Sequence, residues 1–447
     1  MNPGLKYLWL ACIAMAGVCL AQTTRPTTLP ATAPATQPAI PDARIEGFIR
    51  ELSADDWQTR QKAQDALVQY GLDIRPRLSI VLRETRDEEA RTRIEAALRQ
   101  IEENRTTGAS LITLHMKAAK PGQVFAEISR QASAQLRPSP VNLWESKSFP
   151  AIDIDIDRQP FWQAIGEICN KFGVAPQNNM AMEMVIGDRN AGPKLWGEAP
   201  SVISGPFLVV CGYINRSHSI DLNQAKNVRR SCTVQFMIYP EPKMRVLQGT
   251  HSVRIEEAVD EKGNSLAIPG LPPDMGFNTN TWPWNMSASL MPQGNTGQKI
   301  ARLRGSGRFI IQTRSEQAEI GEVQNARGVT KIVAGKRFML KEVRKQGNQY
   351  VAMITLYRAG WSPNEWNYMM YPQQTFRMVD ARGVPLMRLG NGSSGGGPDQ
   401  MDIDIQFQRQ NWNGTENAGE PVKLFWEVPV ETKEINVPFE FTDLPLP

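Results

Sequence analysis

The sequence of 447 residues predicts a multidomain α+β protein with an N-terminal helical segment, a small β-α-β-β-α-β domain and two tandem antiparallel β-sandwich domains. Three observations predict this class. Apolar residues recur at helical spacing between residues 44 and 106, strand and helix patterns alternate from 109 to 190, and short alternating strands fill most of the remainder. The motif at 259–266 (VDEKGNSL) returns at 379–386 (VDARGVPL), an offset of 120, which indicates a duplicated β region.

Composition and charge set broad limits on the function. The chain has room for several domains, since one core usually serves about 100 to 200 residues. Lys and Arg number 50 against 46 Asp and Glu, and the basic residues are not concentrated in one tail. This balance does not indicate a nucleic-acid partner. The hydrophobic fraction of 41% is ordinary for a globular protein.

The first 21 residues have the layout of an export signal. Lys6 precedes an apolar run over residues 7–20, and Cys19 and Ala21 supply the small residues that a signal peptidase reads. We expect cleavage after Ala21, with a retained membrane anchor as the alternative, although the run is short for a membrane span. Residues 22–43 are rich in Thr, Pro and Ala and predict an extended tether. The mature chain would be a periplasmic or cell-surface bacterial protein with no membrane span.

The segment 44–106 predicts several amphipathic helices. Ser53 is the expected N-cap of a helix over 54–70, with Trp57 on its apolar stripe and Gly71 at its end. A last helix is expected over 88–104. The stretches 55–63 (DDWQTRQKA) and 87–94 (DEEARTRI) resemble HEAT-type helical repeats. The resemblance implies a segment that docks on a neighbour, because one helical repeat cannot bury both of its faces alone.

Residues 109–190 predict a small domain in which strands and helices alternate. Ile152, Ile154 and Ile156 alternate with acidic residues, which is the pattern of a strand with one buried face. The stretches 112–119 (ITLHMKAA) and 152–165 (IDIDIDRQPFWQAI) resemble the small periplasmic domain at the start of secretins and TonB-dependent receptors. The resemblance implies a domain used for protein contacts and not for catalysis. An insert at 138–149 departs from the compact version of that domain.

The two β copies are expected at 203–325 and 326–447, with one sandwich fold used twice. In each copy an Asp and a Gly three residues later, Asp260 with Gly263 and Asp380 with Gly383, are typical of a type I turn closed by a left-handed residue. The stretch 309–323 resembles 425–439, which extends the repeat.

Aromatic residues gather in the loops of both copies and are the candidate binding residues. They are Trp282, Trp284, Trp361, Trp366, Tyr368 and Trp412. Exposed aromatic rings at the rim of a sandwich can stack on sugar rings or on the side chains of a partner. The alternative is that they plug the ends of the sandwiches or join the two copies, since large aromatic side chains are mostly buried.

Cysteine and acidic residues give weaker candidates. Cys211 and Cys232 fall on neighbouring strand candidates, which allows a disulfide in an exported protein, with two buried thiols as the alternative. Asp402 and Asp404 share a strand face that can hold a cation, although an outward polar face is the commoner use of such a pattern. No Cys/His spacing for a metal and no common hydrolase or nucleotide-binding motif occurs in the sequence. We therefore expect no metal, no cofactor and no enzymatic activity, with an enzyme assembled from loops as a minor alternative.

The function predicted from these features is that of an exported, non-enzymatic scaffold of the bacterial envelope. Its helical segment and small domain would dock a protein partner, and the β pair would extend the scaffold or bind. The alternative is a carbohydrate-binding envelope protein that uses the Trp-rich loops to hold a glycan.

Overall fold

A computed structural model describes residues 42–178, 184–190, 197, 199–220, 228–268, 277–278, 283–292, 295–362, 365–366, 375–410 and 418–447. Helices come first in the chain and largely antiparallel sheets follow, as expected for the predicted multidomain class. Within these ranges no helix combines the length and the apolar character needed to cross a membrane. The predicted export signal and the tether up to residue 41 lie outside the described residues.

Four helices form the N-terminal segment. They are α1 (Asp42–Glu51), α2 (Trp57–Tyr70), α3 (Arg75–Glu84) and α4 (Glu88–Thr107), with a 3-10 turn at Gly71–Ile74. Leu52, Leu67, Leu78 and Ile94 are fully buried among them, in a core that is separate from those of the rest of the chain. The segment therefore buries its own apolar stripe.

The start of α2 differs from the expectation. Asp56, and not Ser53, caps this helix: its carboxylate accepts the backbone N–H of Thr59 at 2.8 Å. Trp57 is then the first helical residue, and it is 61% exposed because the buried core lies beneath the turns that follow. Gly71 ends α2 with a φ of +65°, as expected for a helix C-cap glycine.

The small domain follows directly. Its elements are β1 (Leu111–Ala119), α5 (Pro121–Gln131), β2 (Arg137–Ser139), α6 (Leu143–Ser146), β3 (Ile152–Pro160), α7 (Phe161–Phe172), β4 (Val174–Asn178) and β5 (Met184–Asp188). Strands β1 and β3 pair antiparallel, and β5 lies between β2 and β4 in a second sheet. The order differs from β-α-β-β-α-β by the one-turn helix α6, into which the insert at 138–149 partly folds, and by a second strand after α7. Ile154 and Ile156 are buried and Asp153 and Asp155 are exposed, which confirms the two-faced strand.

The β region consists of two modules. Each module has an outer sheet of its own, and both share a third sheet. The first outer sheet contains β6 (Ser201–Ser204), β7 (Phe207–Ile220), β8 (Val228–Pro240) and β12 (Trp284–Leu290), in the order β12-β8-β7-β6. The second outer sheet contains β14 (Val329–Val333), β15 (Lys336–Gln346), β16 (Gln349–Tyr357), β18 (Met387–Gly397) and β19 (Gln400–Gln408), in the order β14-β15-β16-β19-β18. The shared sheet contains β9 (Val246–Thr250), β10 (Arg254–Asp260), β11 (Phe277–Asn278), β13 (Lys299–Gly321), β17 (Phe376–Asp380) and β20 (Pro421–Pro445).

Two very long strands, β13 and β20, run through the whole shared sheet. They pair antiparallel from Lys299 opposite Pro445 to Gly321 opposite Lys423. Shifts in register occur only between Gln312 and Ser315, near the middle of the pair. At about 3.3 Å per residue, the 23 residues of β13 span roughly 75 Å, which is longer than one sandwich needs.

Each long strand contributes its two halves to two different cores. In β13, Phe309 and Ile311 lie in the core under the first outer sheet, whereas Ile320 lies in the core under the second. In β20 the order is reversed, with Trp426 in the second core and Phe439 in the first. The predicted division into residues 203–325 and 326–447 therefore does not separate two cores, because the end of each sequence copy completes the other module.

The repeated motif folds into two corners of the same geometry. Gly263 donates its N–H to the carbonyl oxygen of Asp260 at 3.0 Å with a φ of +81°, and Gly383 does the same to Asp380 at 3.0 Å with a φ of +78°. Both turns confirm the predicted left-handed glycine. The second carboxylate oxygen of each Asp accepts a backbone N–H from a distant segment, that of Gly297 at 2.7 Å in one copy and that of Gly419 at 2.8 Å in the other.

These hydrogen bonds hold both carboxylates in the ionised form. Burial acts to raise the pKa of Asp260, but the hydrogen bonds donated by Asn264 and Gly297 outweigh it and lower the pKa to about 2. The N–H of Gly419 is the largest of the causes that lower the pKa of Asp380 to about 2. Each corner is thus fastened to the module by a buried acceptor, a role that the turn pattern alone did not show.

Candidate functional site

Trp284 lies in the core of the first module. It begins β12, is 2% exposed and meets the ring of Phe309 edge-on, with 5.7 Å between the ring centroids. Its partner across the sheet is Ile238 of β8. The hypothesis of an exposed binding ring is wrong at this position, and the alternative of a buried ring applies, because the alternating pattern of β12 points Trp284 into the sandwich.

Trp361 closes the end of the second core. It is 9% exposed, and its ring lies 6.1 Å from that of Trp426 and 6.4 Å from that of Trp366, which is itself partly buried against the same core. Trp361 therefore packs between two other indole rings. This geometry corresponds to the plugging role given as the alternative for the aromatic residues.

A buried lysine organises the loop that carries these tryptophans. The Nζ of Lys336 lies 2.7 Å from the carboxylate of Glu365 and 4.4 Å from the centre of the Trp361 ring. Burial acts to raise the pKa of Glu365, but the ion pair with Lys336 and the hydrogen bonds of Ser362 lower it. Lys336 is the first residue of β15, and its ammonium group fixes the Trp361 ring by a cation–π contact. A lysine that is enclosed in this way anchors a loop, whereas a lysine that binds a ligand must be open to it.

Three of the candidate aromatic residues, Trp282, Tyr368 and Trp412, lie outside the described residues. Of the remaining candidates, Trp366 alone keeps a partly exposed side chain. The described residues therefore bring together Trp361 and Trp366 in the second module and place Trp284 in the first module.

The two cysteines of the predicted disulfide are free thiols. Cys211 lies opposite Phe236, whereas Cys232 lies opposite Arg216, five positions further along β7. At the rise of a strand the two residues are roughly 15 Å apart, more than twice the Cα separation that a disulfide permits. Burial raises the pKa of Cys211 to about 11, and it also raises the pKa of Cys232. The predicted disulfide is therefore wrong, because the register of the hairpin separates the two thiols.

The carboxylates on the acidic strand faces contact neighbouring polar or basic side chains. Asp402 accepts the hydroxyl of Thr355 at 2.6 Å and pairs with Lys341 at 2.9 Å. On β3, Asp155 lies 2.6 Å from Nδ1 of His115 and Asp153 lies 3.2 Å from Lys117. Among the described residues no three His, Cys, Asp or Glu side chains converge as metal ligands would.

A groove in the small domain is a feature that the sequence did not predict. It lies between the start of α5 and the insert, and Lys120, Gly122, Trp144, Lys147 and Phe149 are among its lining residues. The Trp144 ring stacks on Phe125 with an interplanar angle of 3°, so one face of the indole is covered. The departure of the insert from the compact domain was the available signal for this groove.

A buried carboxylate at the domain junction is the second missed feature. Glu241 is 1% exposed and accepts hydrogen bonds from Ser110, which precedes it by 131 residues. Sequence patterns describe neighbours within an element, so they contain no signal for a contact of this separation.

Comparison with known proteins adds no assignment: no family model, no curated protein and no solved structure matches the chain.

Proposed function

We propose that the chain is an exported, non-enzymatic protein of the bacterial envelope whose helical segment and small domain dock a protein partner, while the β region acts as the rigid support. The observation that carries this proposal is the pair of strands β13 and β20, which pass through both β modules without interruption. Because each strand belongs to two cores, the modules cannot hinge against each other without breaking the shared sheet.

The small domain is joined to this support by a shared apolar core. Leu208, Val210 and Tyr239 of the first outer sheet are buried in the same cluster as the side chains of α5 and α7. An apolar core that is continuous between two domains resists relative motion, unlike a polar contact. The small domain is therefore held rigidly on the β region, which is the architecture that a scaffold requires.

The helical segment is attached by a lighter, mainly polar contact. Lys433 of β20 pairs with Glu103 of α4 at 3.1 Å, and the guanidinium of Arg158 lies 5.5 Å from the ring of Tyr70. The HEAT-type and secretin-type resemblances support a docking role for these two N-terminal parts. Exposed apolar side chains add to this support, because Trp57 lies on the helical segment and Val141 on the insert of the small domain.

Site-specific cross-linking with the full mature chain tests the proposal. A photoreactive phenylalanine replaces Trp57 or Val141, and the labelled chain is irradiated in envelope extract. We expect one and the same protein to be joined at both positions. Ile332 of the second outer sheet is the matched control, since it is 69% exposed but belongs to neither the helical segment nor the small domain. Equal cross-linking at Ile332, or none at Trp57 and Val141, would contradict the proposal.

The carbohydrate-binding function stays the alternative and rests on Trp366 and on the three aromatic residues outside the described ranges. A glycan array with the mature chain decides it. Specific binding that Trp366→Ala abolishes in a folded protein would favour this alternative over the scaffold.

A further inference from the structure

Three parts of the chain meet at Ser110. This residue follows Gly108, the C-cap of α4, and directly precedes β1, so it joins the helical segment to the small domain. Its carbonyl oxygen accepts the N–H of Phe161 at 2.8 Å, which ties the start of α7 to the same point. Any movement of the helical segment relative to the support must turn about this junction.

The β region holds Ser110 through Glu241. The two carboxylate oxygens of Glu241 accept the N–H of Ser110 at 3.0 and 3.1 Å, and one of them accepts the Ser110 hydroxyl at 2.7 Å. The N–H of Glu241 is donated to the carbonyl oxygen of Pro206 at 2.9 Å, and the same oxygen accepts Nε1–H of Trp162 at 3.1 Å. The carboxylate of Glu241 thus holds the linker, and its backbone N–H bonds to the Pro206 turn, to which Trp162 of the small domain also donates.

Glu241 is a buried carboxylate whose cationic neighbour lies beyond hydrogen-bond distance. The groups that face the carboxylate are the Ser110 donors from the linker and Lys243 on its own segment, whereas the Pro206 carbonyl bonds to its backbone N–H. The Nζ of Lys243 is 3.7 Å from the carboxylate, which is longer than a hydrogen bond. Burial raises the pKa of Glu241 to about 7, although Lys243 and Ser110 oppose the shift, and burial also lowers the pKa of Lys243.

We propose that this junction is a pH-sensitive switch, in which protonation of the buried Glu241 tightens the attachment of the linker at Ser110 to the β region, and ionisation loosens it. The direction follows from proton linkage. The carboxyl has a higher pKa in the closed junction than in the open one, where it has the ordinary value of 4.5. The closed junction is therefore favoured most below pH 4.5 and loses that advantage as the pH rises through about 7.

Hydrogen–deuterium exchange of the full mature chain measures the opening of the junction. With pKa values of about 7 closed and 4.5 open, linkage predicts that the opening constant at the Ser110 N–H rises roughly 70-fold between pH 5 and pH 8, after correction for intrinsic exchange. A protection factor that does not fall over this range would overturn the proposal.

Two substitutions assign the response to Glu241. In Glu241→Gln the side chain keeps its shape but cannot ionise, so we expect the protection of Ser110 to stay constant between pH 5 and pH 8. The matched control is Glu427→Gln in the shared sheet. Burial acts to raise the pKa of Glu427, but the ion pair with Arg245 and the hydrogen bonds outweigh burial and lower that pKa. This control should retain the response of the unmodified chain. An unchanged pH response in Glu241→Gln would refute the switch.

A direct titration covers the case in which Glu241→Gln does not fold. The side-chain carboxyl carbon of Glu241, followed by NMR in the unmodified chain with labelled glutamate, should titrate with a midpoint near pH 7. A midpoint near the ordinary value of 4.5 would show that the junction does not respond at neutral pH.

Discussion

Replacing Trp361 with alanine separates packing from binding in the Trp-rich loop of the second module. The side chain is 9% exposed and lies against Trp426 and Trp366, with Lys336 beside its ring. Truncation of a buried tryptophan costs about 3–5 kcal/mol of the free energy of unfolding. We expect a loss in this range for Trp361→Ala, since the cavity adjoins the buried ion pair of Lys336.

Trp366→Ala is the internal comparison. This ring is only partly buried, so its removal should cost about 1–2 kcal/mol, a fraction of the full burial of an aromatic side chain. Urea denaturation followed by circular dichroism measures both losses. If Trp361→Ala kept the stability of the unmodified chain and instead lost binding on a glycan array, the packing role would be refuted.

Two further predictions concern the corners and the thiols. Asp260→Ala and Asp380→Ala should each lower the melting temperature at pH 7. The difference from the unmodified chain should shrink as the pH falls from about 4 to 2, because carboxyl groups with a lowered pKa stabilise the fold only while they are ionised. A difference in melting temperature that persists at pH 2 would argue against this role. Cys211 and Cys232 should not react with a thiol reagent until the chain is unfolded, and mass spectrometry after mild oxidation should show both still reduced. A mass lower by two hydrogen atoms would reveal the bond that the register excludes.

Local patterns predicted the parts of the fold that depend on neighbouring residues. The Asp and Gly of the repeated motif specified two corners correctly, because a turn is decided within a few residues. Gly71 likewise marked the end of α2. The N-cap was placed at Ser53 and found at Asp56, since several residues near a helix start can accept the free N–H groups and packing decides among them.

The exchange of strand halves between the modules could not be read from the repeat. A duplication specifies which segments are alike, but it does not specify which core each segment enters. One signal was present: the alternation around Phe309 continues to Ile320, over a distance too long for a single sandwich. The junction of Glu241 with Ser110 had no local signal, because it depends on the docking of two domains.

The positions of the tryptophans followed from packing and not from loop membership. Trp284 and Trp361 were assigned to loops, either as exposed binding rings or as plugs of the sandwich ends; one begins a strand and the other closes a core. In each case a neighbouring alternating strand supplied the apolar surface that covers the ring. Whether an aromatic side chain in a loop is buried depends on apolar surface from strands that are distant in the sequence. The residues next to it in the chain do not indicate that surface.

The central claim is that β13 and β20 make the two β modules one rigid support, and Phe439→Ala tests it most directly. Phe439 belongs to the second sequence copy, yet its ring lies 4.8 Å from that of Phe236 in the first core. Native-state hydrogen exchange should show the slowest amides of β7 and β8 and those of β15 and β16 opening with one common free energy, which Phe439→Ala lowers equally by about 3–5 kcal/mol. If β15 and β16 kept the protection of the unmodified chain while β7 and β8 lost theirs, the modules would be independent and the account would be contradicted.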